Sequence, residues 1–292
     1  MAKRKAASAS LDLIRRTAII AMASDEALVE RLVLKGGNAL DLAHGLSGRG
    51  SLDIDFSIED DFEDLEDIQS RIFRALHDRF DSIGLHVFDG RFRPRPTERQ
   101  PGQNARWGGY RIEFKLIDKE LAKSLAQQPE DMRRRASVVG LLQEKVFRID
   151  ISKYEYCAAK TEYEFDHYMI LVYPPPMIAV EKLRAVCQQM PEYPPVRNKR
   201  ARARDFFDVH TIVTKAGVDL TTPENLKLFR DVFAAKDVPL SLLSQVVRHR
   251  EFHRADWPAV VSSSAIEPEG DFDYYFDFAL RIIERLESLW HE

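Results

Sequence analysis

Asp53 and Asp55 stand two residues apart in Leu52-Asp53-Ile54-Asp55-Phe56-Ser57-Ile58, where polar and apolar side chains alternate. Alternation with a period of two is the signature of a strand, and it sends both carboxylates to one face. Carboxylates that close repel one another and resist burial. A divalent cation removes the conflict, and Mg²⁺ favours one or two protein carboxylates completed by substrate phosphates. Taken alone, the pair reads more simply as the solvated face of an edge strand, with Leu52, Ile54 and Phe56 turned inward. The neighbouring sequence shifts that balance. Gly36 and Gly37 lie upstream, between the apolar Val33-Leu34 and a helix-like stretch that begins near Asn38. Backbone N–H groups at a helix start favour a phosphate, glycine lets the backbone approach it, and Lys35 adds charge. A double glycine by itself marks only a turn. Followed by a short helix and a strand bearing two carboxylates, it supplies what a nucleoside triphosphate requires: amides for the phosphates and carboxylates for the metal.

The elements that must position these residues show as periodicities. Leu13, Ala18, Ile19, Met22, Leu28 and Leu32 recur at helical spacing and predict one or two helices over residues 9 to 32. Val33–Lys35 reads as a short strand, with Asn38 near the cap of the next helix. The acidic stretch Glu59 to Asp67 leads into a helix carrying Ile68, Ile72, Phe73, Leu76 and Phe80. Tyr110–Leu116, after the turn-prone Gly108-Gly109, and Val146–Ile151 alternate as strands. This order suits a mixed sheet with helices against one face. Pro174-Pro175-Pro176 marks a domain edge. Beyond it the pattern is helical: Met177–Met190, a stretch through Phe206, Val209 and Ile212, and a last one from Tyr275 to Leu289. The expectation is an α/β chain, with a mixed-sheet domain over 1–173 and a helical domain over 174–292.

Composition sets the outer limits. A chain of 292 residues accommodates two domains, and 45% hydrophobic with 31% charged residues describes a globular chain, not a disordered one. Cys157 and Cys187 form no CxxC pair, so a disulfide framework is not expected and a reducing cytoplasm is. The basic, mildly apolar N-terminus is broken by Asp12, Arg15 and Arg16, which suits the start of a helix better than a signal peptide. No apolar run reaches the ~18 residues that a membrane span needs. A net charge of −4, from 43 basic and 47 acidic residues, exerts no global pull on a polyanion, so a nucleic-acid surface must be local. Basic residues gather at Arg91–Arg99, Arg133–Arg135 and Arg197–Arg204. The first, with Pro94 and Pro96, reads as a mobile loop and not a site. The last reads either as a solvated loop and first helical turn or as a contact for phosphates. Cationic charge at a helix N-terminus is unfavourable by itself, which favours an anion there. His44, His77, His86, His167 and His210 show no metal-ligand spacing.

The runs Lys35-Gly36-Gly37-Asn38-Ala39-Leu40 and Arg49-Gly50-Ser51-Leu52-Asp53-Ile54-Asp55-Phe56 resemble the AbiEii/AbiGii toxin family of nucleotidyltransferases, within the DNA polymerase β-like superfamily. The resemblance continues in Arg148-Ile149-Asp150-Ile151, in Ile178-Ala179-Val180-Glu181-Lys182-Leu183-Arg184-Ala185 and in Arg204-Asp205-Phe206-Phe207-Asp208-Val209. Glycine-glycine stands where many superfamily members place glycine-serine. The resemblance implies a polymerase β-like domain followed by a helical domain, with the site between them. It implies that Gly36, Gly37 and Ser51 line the triphosphate, and that Asp53 and Asp55 hold Mg²⁺ (or Mn²⁺). Asp150 would be the third carboxylate, activating the attacking hydroxyl or completing a two-metal site. Glu113 is a second candidate for that place; Asp150 fits the family's order better. Lys182 would contact nucleotide phosphate, and Asp205 would be the acidic residue of the last motif. Lys35 and Arg204, for their charge, join them as phosphate contacts. Singly, Lys182 and Arg184 would be solvent-facing polar residues, and Asp205 and Asp208 mere helix-start charge; their order is what lifts them.

The implied reaction is transfer of a nucleoside monophosphate from an NTP to an acceptor hydroxyl, with release of pyrophosphate. The implied acceptor is RNA, the 3′ end of tRNA foremost. The setting would be a toxin–antitoxin or phage-defence system with a separately encoded antitoxin. The alternatives are a nucleotidyltransferase acting on a small molecule or a protein, and a catalytically silent nucleotide- or RNA-binding module. Three retained carboxylates argue against the silent module.

Overall fold

Ile14, Ala18, Ile19 and Met22 are buried along α1 (Ala2–Ala23), so the N-terminal periodicity becomes one long helix, followed by a short α2 (Glu26–Val29). The computed structural model describes residues 2–46, 53–97, 106–138, 144–196, 198–264 and 267–290. After β1 (Val33–Lys35) comes α3 (Gly36–Asn38), continued by a π-helical turn over Ala39–Ala43, and then β2 (Ile54–Ser57). Asp64 caps α4 (Leu65–Ser82) by accepting from the N–H groups of Glu66 and Asp67 at 3.0 and 2.9 Å. Next are β3 (Leu85–Arg95), β4 (Gly109–Asp118), α5 (Lys119–Ser124), α6 (Pro129–Arg135), β5 (Phe147–Ser152), β6 (Thr161–Phe165) and β7 (Tyr168–Val172). Every described element beyond Val172 is helical: α7 (Pro175–Gln188), α8 (Ala203–Lys215), α9 (Pro223–Ala234), a 3₁₀ segment over Leu240–His249, α10 (Arg250–Arg254), α11 (Trp257–Ser263), α12 (Phe272–Glu284) and a last 3₁₀ turn over Glu287–Leu289.

The strands form one seven-stranded mixed sheet in the order β3-β4-β5-β2-β1-β7-β6. β2 runs parallel to β5 and antiparallel to β1, while β4 lies antiparallel to both β3 and β5. The alternation predicted for β2, β4 and β5 sorts onto two faces. One face carries Leu34, Ile54, Phe56, Ile112, Phe114 and Ile149, all buried, and Phe80 of α4 meets Phe114 there with ring centroids 5.7 Å apart. The other face carries the charged residues and is overlain by α7, whose Glu181 reaches Lys35. Helices therefore flank both faces, where the sequence suggested one.

Three further differences have physical causes. Asn38 does not cap α3; the cap position is Lys35, and Asn38 is wholly buried inside the first turn. Residues Arg91 to Arg95 are not a loop, because antiparallel pairing with β4 carries β3 to Arg95. Pro94 is tolerated there because β3 is an edge strand, whose outward N–H positions have no ladder to break. The β6–β7 hairpin turns on Asp166 and His167, with φ of 49° and 68°, a turn without the glycine that usually announces it.

The hydrophobic core runs continuously from Ile14 to Leu289, and the N–H of Tyr173, at the exit of β7, donates to the Leu34 carbonyl at 2.9 Å. In the helical half, Phe206 of α8 packs on Phe276 of α12 with centroids 4.9 Å apart. Both cysteines are buried and free. Among the described residues no helix is long and apolar enough to cross a membrane.

Candidate active site

A single row of charged side chains crosses the middle of the sheet. Arg111 of β4 lies opposite Asp150 of β5, Asp150 opposite Asp55 of β2, and Asp55 opposite Lys35 of β1. Directly opposed residues share a face, so the row reads plus, minus, minus, plus. The outer cations close on their neighbours. Arg111 donates from Nε and Nη2 to the two oxygens of Asp150 at 2.7 and 2.5 Å, a planar two-point clasp. Lys35 Nζ turns instead to Glu181 at 2.7 Å. Asp55 is left between, half-buried at the cleft wall with another carboxylate beside it. Burial is the largest influence on it; Asp150, Glu181 and Asp53 add to the effect, and Lys35 only partly opposes it, so its pKa is pushed up to about 7. Burial and Asp150 also raise Asp53, against Arg148 and Arg111. Glu113 sits one pair along from this row, opposite Arg148, and its nearest cation is Arg148 Nε at 3.8 Å.

Gly36 backs Asp55 directly. Its φ is +67°, and a Cβ placed on it would lie 3.0 Å from Asp55 Oδ2. Gly36→Ala is therefore expected to lower the unfolding free energy by about 1–2 kcal/mol through left-handed backbone strain alone. The contact term should show as non-additivity, with Gly36→Ala costing less in an Asp55→Ala background; urea denaturation of the four proteins checks it.

Asp53 is held through its backbone. Arg15 of α1 donates to Asn38 Oδ1 at 3.2 Å, and Asn38 Nδ2 donates to the Asp53 carbonyl at 2.7 Å. This chain ties the N-terminal helix, the glycine turn and the approach to β2 together.

Behind the row lies a buried cluster that the sequence did not reveal. Glu155 accepts from Arg184 Nη1 at 2.9 Å and has Lys236 Nζ at 3.3 Å and Lys35 Nζ at 3.6 Å. Burial disfavours its charge, but Arg184, Lys35 and Lys236 outweigh that and hold its carboxyl well below the ordinary range. Burial likewise works against the Lys35 ammonium, yet Glu181 and Glu155 keep its pKa above the usual lysine value. Lys236 differs: burial dominates and draws it down to about 8. Its Nζ also donates to the Lys153 carbonyl at 2.6 Å and the Arg106 carbonyl at 3.1 Å.

These groups surround a cleft of about 740 Å³ between the charged sheet face and the helical half. Of the residues singled out in the sequence, Lys35, Asp55 and Asp150 line it. Gly36, Gly37 and Asp53 are not among its lining residues, and Ser51 lies outside the described residues. Lys182, Asp205 and Arg204 do not line it. Lys182 Nζ is buried between Asp205 at 3.1 Å and Asp208 at 2.6 Å, and Asp205 is also bonded by Arg202. Burial would raise Asp205, but Arg202 and Lys182 hold it below the usual range. Arg204 turns away, donating to Ser263 Oγ at 2.8 Å. From the basic segment, Arg200 and Arg202 reach the cleft instead. Glu155, Glu181, Arg111 and Lys236 were all missed. The signals were the parity of Arg111, two residues from Glu113 on an alternating strand, and the place of Glu181 beside Lys182 in its motif.

The donor chemistry fits a divalent metal. Asp55 and Asp150 are hard oxygen ligands side by side, and a divalent cation between them would relieve the repulsion that Lys35 only partly offsets. Among the described residues no group of three His, Cys, Asp or Glu side chains is gathered closely enough to hold a metal unaided, so Asp53 and substrate phosphates would have to complete the site.

A family model described as nucleotidyl transferase AbiEii toxin, type IV TA system, matches residues 18–280. The chain belongs to this family. It is accordingly a nucleotidyltransferase of the AbiEii toxin class. No curated protein matches it. Among solved structures, JHP933 from Helicobacter pylori is similar at 15% identity with a TM-score of 0.49, over 97% of this chain and 93% of that one. An antigenic nucleotidyltransferase-like protein from Paracoccidioides brasiliensis is similar at 14% identity with a TM-score of 0.38, over 87% of this chain and 94% of that one. At such scores the family match alone decides membership.

Proposed function

We propose that the cleft transfers a nucleoside monophosphate from an NTP to a hydroxyl of an RNA acceptor, the 3′ end of tRNA foremost, and that the chain is the toxin partner of a separately encoded antitoxin. The observation that carries this reading is the half-buried Asp55 beside Asp150 in parallel register, two carboxylates at the wall of one cleft. Asp53, Asp55 and Asp150 would hold Mg²⁺ (or Mn²⁺), which neutralises the charge that develops on the transferring phosphoryl group. The remaining work falls to the chain's own residues. Lys35 and the amides of Gly36 and Gly37, with Ser51, receive the triphosphate. Arg111 fixes the Asp150 carboxylate, which takes the proton from the attacking hydroxyl. Lys182 and Asp205 position Arg202 at the cleft wall. We further propose that residues 1–173 and 174–292 are the two units that share this cleft, since the last described strand ends at Val172 and helices alone follow.

The test is incubation with Mg²⁺, each labelled NTP, and total tRNA, a protein fraction or a small-molecule fraction. Label is expected on tRNA with wild type and at background with Asp53→Ala. Label on the protein or small-molecule fraction alone would replace the acceptor, and label that survives Asp53→Ala would remove that carboxylate from the site.

A further inference from the structure

The edge strand β3 presents Arg91, Arg93 and Arg95 in alternation, and all three are exposed. Their face is fixed by the intervening residue. Phe92 stacks on Tyr110 with centroids 5.0 Å apart, on the apolar side of the sheet, so the arginines stand on the charged side. Arg93 lies directly opposite Arg111 and thereby extends the row that runs through Asp150 and Asp55 to Lys35. Three strand spacings separate Arg93 from Asp55, roughly 14 Å. Among the described residues, none of the three arginines forms an ion pair with a carboxylate. Arg91 faces Glu113, which is 3.8 Å from Arg148.

The stripe leads into the cleft, because Arg95 lines it together with Trp107. Arg95 pairs with Gly109, and Gly108, which follows Trp107, packs against it: a Cβ on Gly108 would lie 2.8 Å from the Arg95 carbonyl. Trp107 is 38% exposed, yet its backbone is anchored on both sides. Lys236 Nζ donates to the Arg106 carbonyl, and the Lys153 N–H donates to the Gly108 carbonyl at 3.1 Å. An indole open to solvent on an anchored backbone at the cleft rim is available for a base to stack on.

We propose that Arg91, Arg93 and Arg95 are the track for the single-stranded 3′ end of the RNA acceptor, and that Trp107 stacks its terminal base. This rests on the nucleotidyl-transfer reading above and names where the acceptor lies. Alternate strand residues are about 6.8 Å apart, close to the separation of successive phosphates in an extended single strand. A stripe of arginines ending at an aromatic platform is the combination that binds single strands, whereas duplex readers lack the platform. The competing role for charge on an edge strand is to block edge-to-edge association. That role needs neither a common face with the catalytic row nor an indole at its end.

The test is fluorescence anisotropy with a short 5′-labelled single-stranded RNA across a salt series, without NTP. Arg91→Gln/Arg93→Gln/Arg95→Gln is expected to weaken binding by at least roughly tenfold and to flatten the slope of log K against log salt by about two, the loss of three single-strand phosphate contacts. The pair Arg74→Gln/Lys215→Gln, exposed cations elsewhere on the molecule, should leave the slope nearly unchanged. Trp107→Phe should retain the slope but lose the RNA-dependent quenching of tryptophan emission. An unchanged slope in the triple variant, with or without new self-association, would overturn the track, as would an equal loss in the control pair. Quenching that persists in Trp107→Phe would overturn the platform. Asp55→Asn separates this proposal from the reading beneath it: that variant should bind RNA like wild type while transferring nothing. No transfer by wild type would sink the reaction, and transfer by Asp55→Asn would remove Asp55 from the site; either leaves the binding result standing.

Discussion

Asp55→Asn is expected to abolish nucleotidyl transfer and, at pH 8, to make the protein harder to unfold. The first effect follows from removing the central carboxylate of the row, for which a loss of at least roughly 10³-fold is a conservative expectation. The second follows from linkage. Burial, with Asp150, Glu181 and Asp53, raises the Asp55 carboxyl from 3.8 to about 7 in the folded chain. A carboxyl with a raised folded-state pKa contributes stability below about pH 4 that is lost as pH rises through 7. Above that the wild type carries the cost of a half-buried charge, at most about 4 kcal/mol, and Asn does not. The gain from Asp55→Asn should thus be full at pH 8, shrink through pH 6 and vanish near pH 4. Thermal melts of the two proteins over this range check the sign. Added Mg²⁺ should stabilise wild type at pH 8 and leave Asp55→Asn unmoved. A variant less stable than wild type at pH 8 would mean that Asp55 is held by attraction and not strained by repulsion.

What the sequence made legible follows from where each residue's partners lie. β2, β4 and β5 sit inside the sheet with one face on the apolar core, so their alternation is strict and readable. β3 is an edge strand with a register shift between Phe88 and Arg91 and a proline at position 94, and each feature blurs the period. The β6–β7 hairpin lacks a turn glycine, and β6 is mostly exposed, so neither its turn nor its pattern stands out. The same logic divides the site. Lys35, Gly36, Asp53 and Asp55 fall within one short stretch, and two adjacent strands bring them together. Arg111 meets Asp150 from 39 positions away, and Lys236 meets the Lys153 carbonyl from 83. Such pairings depend on strand order and helix packing, to which no local spacing refers. Burial also sets aside the plainer reading of α7. Lys182 and Arg184 look solvent-facing on an amphipathic helix, yet both are buried because α7 is covered by α8 and α9.

That burial makes Lys182→Met the other large effect. The lysine lies between Asp205 and Asp208 on α8, with Arg202 on the far side of Asp205. Burial works against its charge, but the two aspartates outweigh that and keep it protonated. Removing it leaves two buried carboxylates with one guanidinium between them. Breaking a buried ion pair in this way costs about 3–5 kcal/mol, because the partner's desolvation is no longer compensated. Lys182→Met is thus expected to lower the urea midpoint sharply and to lose transfer and toxicity through loss of the fold. Adding Asp208→Asn should recover part of the stability, because the charge that lost its partner is then removed as well. A contact between Lys182 and nucleotide phosphate predicts another pattern: transfer lost at an unchanged midpoint, with no recovery from Asp208→Asn. The two patterns separate a lysine that acts on substrate from one that holds Arg202 in place, and the ion pairs at 2.6 and 3.1 Å favour the second.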